Sequence, residues 1–167
     1  DRHLGPEYIE KAHKAGTKLI HKVGAVRHAK HAEEVGYSAV IAAGIEEGGH
    51  PLNEDVSTMV LTPRICESVR IPVITAGGIA DGRGLAAALA LGAQGVQIGT
   101  RFICCDECIA HPKFKERIIQ AQDRSTVVTG QTTGHPVRCL ENKLTRQFEA
   151  LEKSGATKAE LEEFGRG

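Results

Sequence analysis

Aromatic residues are scarce in this 167-residue chain, at 4% of the total with no tryptophan and two tyrosines. Its core must therefore be built from Ala, Val, Ile and Leu, which suit parallel strands packed closely under helices. Excess charge of either sign is also missing, since Lys+Arg and Asp+Glu both number 21. With no basic stripe interleaved with aromatics, electrostatics gives no case for nucleic acid or an anionic membrane as partner. No apolar run reaches the ~18 residues of a membrane span, and the opening Asp1-Arg2-His3-Leu4-Gly5-Pro6 holds no hydrophobic signal core. A soluble chain without an export signal is expected. Five cysteines cannot all pair within one chain, and their spacing is not that of a small secreted scaffold, so a reducing cytoplasm is the expected setting. The remaining composition, 41% hydrophobic and 25% charged, is that of one globular domain with a real core.

Glycine is plentiful, and its placement is informative. Ala76-Gly77-Gly78-Ile79 and Ile98-Gly99-Thr100 each follow an apolar, strand-like run, Ile71-Pro72-Val73-Ile74-Thr75-Ala76 and Gln94-Gly95-Val96-Gln97-Ile98. Their spacing of about twenty residues suits a phosphate held between consecutive βα loops. Glycine lets the backbone approach an anion without a Cβ in the way, and N–H groups at a helix start donate to phosphate oxygens. The alternative is a pair of tight turns with no ligand.

The rest of the chain alternates in the same sense. Helices are expected over 7–15, 26–35, 59–69 and 85–91, and strands over 17–23, 37–43, 71–76 and 94–98. Asp81 is placed to cap the helix after the first glycine turn. Four strands at βα spacing predict a parallel sheet with right-handed crossovers. Beyond them, 113–123, 138–153 and 158–164 read as helices, with a polar, threonine-rich loop at about 126–135. About four β/α units do not close a (β/α)8 barrel, and a phosphate site after the last two strands is usual in that fold, so the chain reads as the C-terminal half of a TIM-type barrel followed by helices. The expected division is 1–110 for the half-barrel and 111–167 for a helical extension of the same domain.

The candidates for chemistry lie in the loops. Gly44-Ile45-Glu46-Glu47-Gly48-Gly49-His50 follows a strand at the end where parallel α/β folds place their active sites. The His50 imidazole can accept a substrate proton near neutral pH, and the glycines before it allow close approach to a planar ring. On residue type alone, a loop histidine is more often a solvated or structural one. Lys22, ending another strand, is placed to set a positive charge against the N1/O2 edge of a reduced flavin, or simply to meet solvent. Cys104, Cys105, Cys108 and His111 suggest zinc, but Cys105, Cys108 and His111, at i, i+3 and i+6 on one helical stretch, cannot surround a tetrahedral ion unaided, so no metal site is expected.

Taken together, Leu19-Ile20-His21-Lys22, Ala25-Val26-Arg27-His28-Ala29, Gly48-Gly49-His50-Pro51, Ala76-Gly77-Gly78-Ile79-Ala80-Asp81-Gly82-Arg83-Gly84 and Gln97-Ile98-Gly99-Thr100-Arg101-Phe102 resemble the nitronate monooxygenase family, formerly the 2-nitropropane dioxygenases. The family's close relative is the FMN-dependent enoyl-ACP reductase II. His111-Pro112-Lys113-Phe114-Lys115-Glu116, Gly134-His135-Pro136-Val137-Arg138 and Asn142-Lys143-Leu144-Thr145-Arg146 look like the reductase branch. The resemblance implies an FMN-containing barrel of which this chain supplies roughly strands five to eight, the N-terminal half being its missing partner. It places the phosphate site at Gly77, Gly78, Gln97, Ile98, Gly99 and Thr100, the flavin-ring loop at Gly48 and Gly49, and the catalytic base or nitronate activator at His50. The implied reaction oxidises an alkyl nitronate with O2 to a carbonyl compound and nitrite. The alternatives are an FMN/NADH-dependent enoyl thioester reductase and a non-catalytic, truncated half-barrel module. Glu47 stands where the family has a small residue, and the loop 51–56 is longer than the reductase's, which bears on substrate class.

Overall fold

The computed structural model describes residues 4–52 and 54–166; residues 1–3, 53 and 167, part of the opening and of the histidine loop considered above, lie outside the described residues. The chain forms two compact units, 1–47 with 54–98 and 48–53 with 99–167.

The first unit runs α1 (Pro6–Lys14), β1 (Ile20–Val23), α2 (Val26–Val35), β2 (Ala39–Ala43), α3 (Thr58–Cys66), β3 (Val73–Ala76), α4 (Gly82–Ala90) and β4 (Gly95–Gln97). Its sheet has the order β1-β2-β3-β4 and every pair is parallel. This is the expected set of β/α units. Register keeps the strand ends level, with Val23 beside Ala42, Ala43 beside Ala76 and Ala76 beside Gln97. The loops after all four strands therefore open on one rim.

Alternation along the strands sorts side chains between the two faces. Val23, Val40, Ala42 and Val73 pack with Ala29 and Ala32 of α2 and Leu61 and Ile65 of α3 into one core. Thr75, on the same face, meets Thr62 of α3 through a buried hydroxyl pair at 2.8 Å. The opposite face carries Ile20, Lys22, Ile41, Ile74 and Gln97, and Ile20 remains 51% exposed. Such a face, flanked by edge strands β1 and β4, is what a barrel interior becomes when only half its strands are in the chain.

Helix ends follow their capping chemistry. The Asp81 carboxylate accepts from the N–H groups of Arg83 and Gly84 at the start of α4, and Ser57 accepts from Val60 at the start of α3.

The second unit contains α5 (Thr100–Ile103), α6 (Pro112–Ile119), β5 (Thr126–Thr129), β6 (Val137–Leu140), α7 (Lys143–Lys153) and α8 (Lys158–Arg166). Here the all-helical extension expected over 111–167 needs correction, because β5 and β6 form an antiparallel hairpin where a loop and a helix start were anticipated. Thr126-Val127-Val128-Thr129 is a β-branched run that favours extended backbone. Its partner, Val137–Leu140, stays extended because Asn142, with a capping box to Thr145, postpones the helix to Lys143. The connecting turn is tied down by Glu152 of α7, whose carboxylate accepts from the Gly130 and Thr132 N–H groups and, at 2.6 Å, from the Thr132 hydroxyl. The compact units also divide at 98/99 and lend residues 48–53 to the second unit, unlike the single boundary at 110.

Candidate active site

In the first unit, Lys22, Gly77, Gly78, Gln97 and Ile98 all sit at or just beyond strand carboxyl ends. Continuity with the sheet fixes the first glycine turn, where the Gly44 N–H donates to Ala76 O at 3.1 Å. Thr58, at the start of α3, then locks the loops together. Its N–H donates to Glu46 Oε2 at 2.9 Å. Its hydroxyl lies 3.0 Å from the same carboxylate oxygen, 3.0 Å from Gly77 O and 3.2 Å from Ala76 O, three acceptors sharing one proton.

This crowding explains Gly77. Its φ is +102°, and a Cβ there would lie 2.8 Å from Thr58 Oγ1 and 3.2 Å from both Glu47 N and Gly44 O. Gly78 also has a positive φ, +70°, and a Cβ there would meet the Glu46 side chain at 3.4 Å. Both glycines thus have a reason within the protein itself.

Lys22 forms an ion pair with Glu47, in which the glutamate side chain is 12% exposed and the lysine side chain 37%. Glu47, where the resemblance leads one to expect a small side chain, is therefore the residue that meets the lysine. Such a pair places a fixed, partly desolvated dipole at the rim and holds the Glu47 backbone near Gly77.

In the second unit, the histidine loop and the second glycine turn come together: a Cβ built on Gly48 would lie 3.5 Å from Thr100 Oγ1. Gly49 forms an antiparallel bridge with Arg138, its N–H donating to Arg138 O at 2.9 Å and its carbonyl accepting from Arg138 N at 2.7 Å. The hairpin that sequence reading missed is thus what fastens the loop carrying His50. His50 itself is exposed and Pro51 is buried, which anchors the loop just after the imidazole.

Gly99 differs from Gly77 and Gly78. Its φ is −105° and a Cβ there would meet nothing within 4 Å. Neither strain nor crowding within the chain calls for glycine at this position. The backbone N–H groups of Gly78, Gly99 and Thr100 have no hydrogen-bond partner among the described residues. The exposed donors of Gly99 and Thr100, with open space over Gly99, fit an anionic group of a cofactor.

The cysteine segment lies in turns rather than on a helix, with the Cys108 N–H donating to Cys105 O at 3.3 Å and the Cys105 thiol donating to Phe102 O. All five thiols are free, and no His/Cys/Asp/Glu group suited to a metal ion occurs among the described residues. No described helix is long and apolar enough to cross a membrane.

Known proteins match over nearly the whole chain. The nitronate monooxygenase family model matches residues 4–163. A probable nitronate monooxygenase of Staphylococcus saprophyticus is 42% identical over 149 residues, covering 84% of this chain and 42% of that protein. Among solved structures, FabK from Thermotoga maritima superposes with a TM-score of 0.89 at 46% identity, over 95% of this chain and 50% of that one. The nitroalkane oxidase of Streptomyces ansochromogenes gives a TM-score of 0.77 at 33% identity, over 86% and 44%. The chain therefore spans about half the length of the relatives it matches. Four parallel β/α units, glycine turns and a histidine loop at the strand ends, and a family match that takes in every one of them lead to one assignment: this chain belongs to the nitronate monooxygenase family.

Proposed function

We propose that the protein is an FMN-dependent oxidoreductase of the nitronate monooxygenase kind, acting on alkyl nitronates with O2 to give a carbonyl compound and nitrite. The observation that carries the reading is the pair of N–H donors at Gly99 and Thr100, unpartnered among the described residues, on the turn that follows β4. These donors fit the FMN phosphate, and the resemblance to the family assigns Gly77, Gly78, Gln97 and Ile98 to the same phosphate. Gly48 and Gly49 offer a side-chain-free backbone for the flavin ring to lie against. When bound, FMN supplies the electron acceptor for the nitronate and the means of engaging O2.

The chain's own residues do the rest. His50 removes the proton from the carbon of a neutral nitroalkane, or donates a hydrogen bond to the oxygens of a nitronate already formed. The Gly49–Arg138 bridge holds the backbone that presents the imidazole. Lys22 contributes positive charge at the rim, balanced by Glu47 until an anion competes for it. The remaining half of the barrel is the partner these residues require. Five free thiols accord with a cytoplasmic setting.

A second reading, an enoyl thioester reductase using NADH, draws on the higher identity to FabK and on the reductase-like stretch from His111 to Glu116. One experiment separates the readings in the full-length protein: nitrite release from propionate 3-nitronate against NADH oxidation with a crotonyl thioester. Nitrite release without thioester-dependent NADH oxidation is expected. The reverse result assigns the reductase, and neither activity in flavin-loaded protein leaves a non-catalytic module.

A further inference from the structure

Apart from the glycine turns, the second unit holds a cavity of ≈ 250 Å³ lined by Arg117, Gln120, Arg124, Ser125, Glu141 and Arg146, with Ala121 and Leu140. Its walls come from the end of α6, the loop into β5, the end of β6 and the first turn of α7. In a chain whose charges balance at 21 of each sign, three guanidinium groups here face a single carboxylate.

That carboxylate is already committed. Glu141 Oε1 accepts from Arg146 at 3.0 Å. Among the described residues, Arg117 reaches only the Glu141 carbonyl, at a long 3.5 Å. Arg124 has no hydrogen bond or ion pair among the described residues. Asp123 lies on the same loop but does not line the cavity. The hairpin base is fixed by the Glu141 N–H donating to Ser125 O at 2.9 Å, so the loop carrying Arg124 is tied to the strand carrying Glu141.

We infer that this cavity is a binding site for a phosphate monoester dianion. Planar guanidinium forks match phosphate oxygens two at a time, and each of the three arginines has N–H donors to spare, Arg124 all of its own among the described residues. The volume lies below the roughly 300–1,000 Å³ of whole-ligand pockets, so the site takes a terminal phosphate rather than an entire cofactor. Gln120 and Ser125 add neutral polar groups at the wall. The site is separate from the flavin reading and stands or falls without it.

The test is calorimetric titration of the full-length protein with inorganic phosphate, adenosine 3′,5′-bisphosphate and adenosine 2′,5′-bisphosphate, repeated at raised salt. Saturable binding of one equivalent is expected. Arg124→Gln should weaken it about tenfold or more, with Arg124→Lys in between because a point charge replaces a fork. Preference for the 3′-phosphate points to a coenzyme A-type ligand, preference for the 2′-phosphate to an NADP-type ligand, and equal affinity to free phosphate; each supports the site. Non-saturating binding, or saturable binding unchanged in both Arg124→Gln and Arg117→Gln, overturns it. Flavin absorbance measured on the same samples keeps this outcome distinct from that of the glycine turns, and melting curves show that each variant is folded.

Discussion

Alanine at Gly77 and alanine at Gly99 should have opposite consequences, although both glycines sit in turns after strands. At Gly77 the φ of +102° is one that side-chain-bearing residues rarely adopt, and holding such a conformation costs about 1–3 kcal/mol. The new Cβ would also stand 2.8 Å from Thr58 Oγ1, with backbone atoms at 3.2 Å behind it. Forced overpacking of that kind adds about 1–3 kcal/mol, so Gly77→Ala should lose about 2–6 kcal/mol in all. At Gly99 the φ is −105° and the space is open. There alanine should range from neutral to about 1 kcal/mol stabilising, since it restricts the unfolded chain at no steric cost. Urea unfolding of the full-length protein measures both. A Thr58→Ala background should return about 1–2 kcal/mol of the Gly77→Ala loss by removing the hydroxyl. Gly99→Val, which fills the open space without straining the backbone, should keep the fold yet lower flavin retention by more than about tenfold. Equal destabilisation at both glycines, or full flavin occupancy in Gly99→Val after gel filtration, would refute the reasoning.

Two further outcomes follow from the packing and the titrating groups. Thr62→Val or Thr75→Val alone should cost about 1–3 kcal/mol by leaving the other buried hydroxyl unpaired, whereas the double variant should be closer to neutral, and strictly additive losses in a double-mutant cycle would count against the pair. Burial, helped by the Arg27 charge, pushes the His28 imidazole below its ordinary value of 6.5. The unfolded chain then binds the proton more readily, so stability is present above about 6.5 and declines as pH falls through that value. His28→Gln should flatten the decline in thermal midpoint between pH 8 and 5, and an unaltered profile would contradict the assignment. Asp81, held down to about 2 chiefly by Arg83, contributes in the same direction at lower pH, as the solution passes from its usual 3.8 toward 2.

The parallel half of the fold was legible because its signals are local and agree with one another. The helix Val26–Val35 ends at Gly36 as its sequence indicates, and Asp81 caps α4 where capping chemistry places it. The hairpin was not legible, because four-residue strands separated by a turn of Gly, Thr and Gln carry little periodicity. The decisive contact, Glu152 reaching back to Gly130 and Thr132, is tertiary. Of the candidate site, the glycine turns and His50 were visible as residue types on strand-following loops. The bridge from Gly49 to Arg138 was not, since backbone pairing between residues so distant in sequence leaves no mark on either. The Lys22–Glu47 pair was half visible, as a lysine at a strand end and a glutamate in an unexpected place.

The central claim is that His50 performs proton chemistry on a substrate while the glycine turns hold the cofactor, and one kinetic comparison tests it most directly. His50→Asn in the full-length protein is assayed with a neutral nitroalkane and with the corresponding preformed nitronate, flavin content being recorded for each preparation. The account predicts retained FMN and turnover lower by about a hundredfold or more. The loss should be greatest on the neutral nitroalkane, whose carbon must first give up a proton, and smaller on the nitronate, which has already lost it. Equal, small losses on both substrates would leave His50 a structural loop residue and contradict the account.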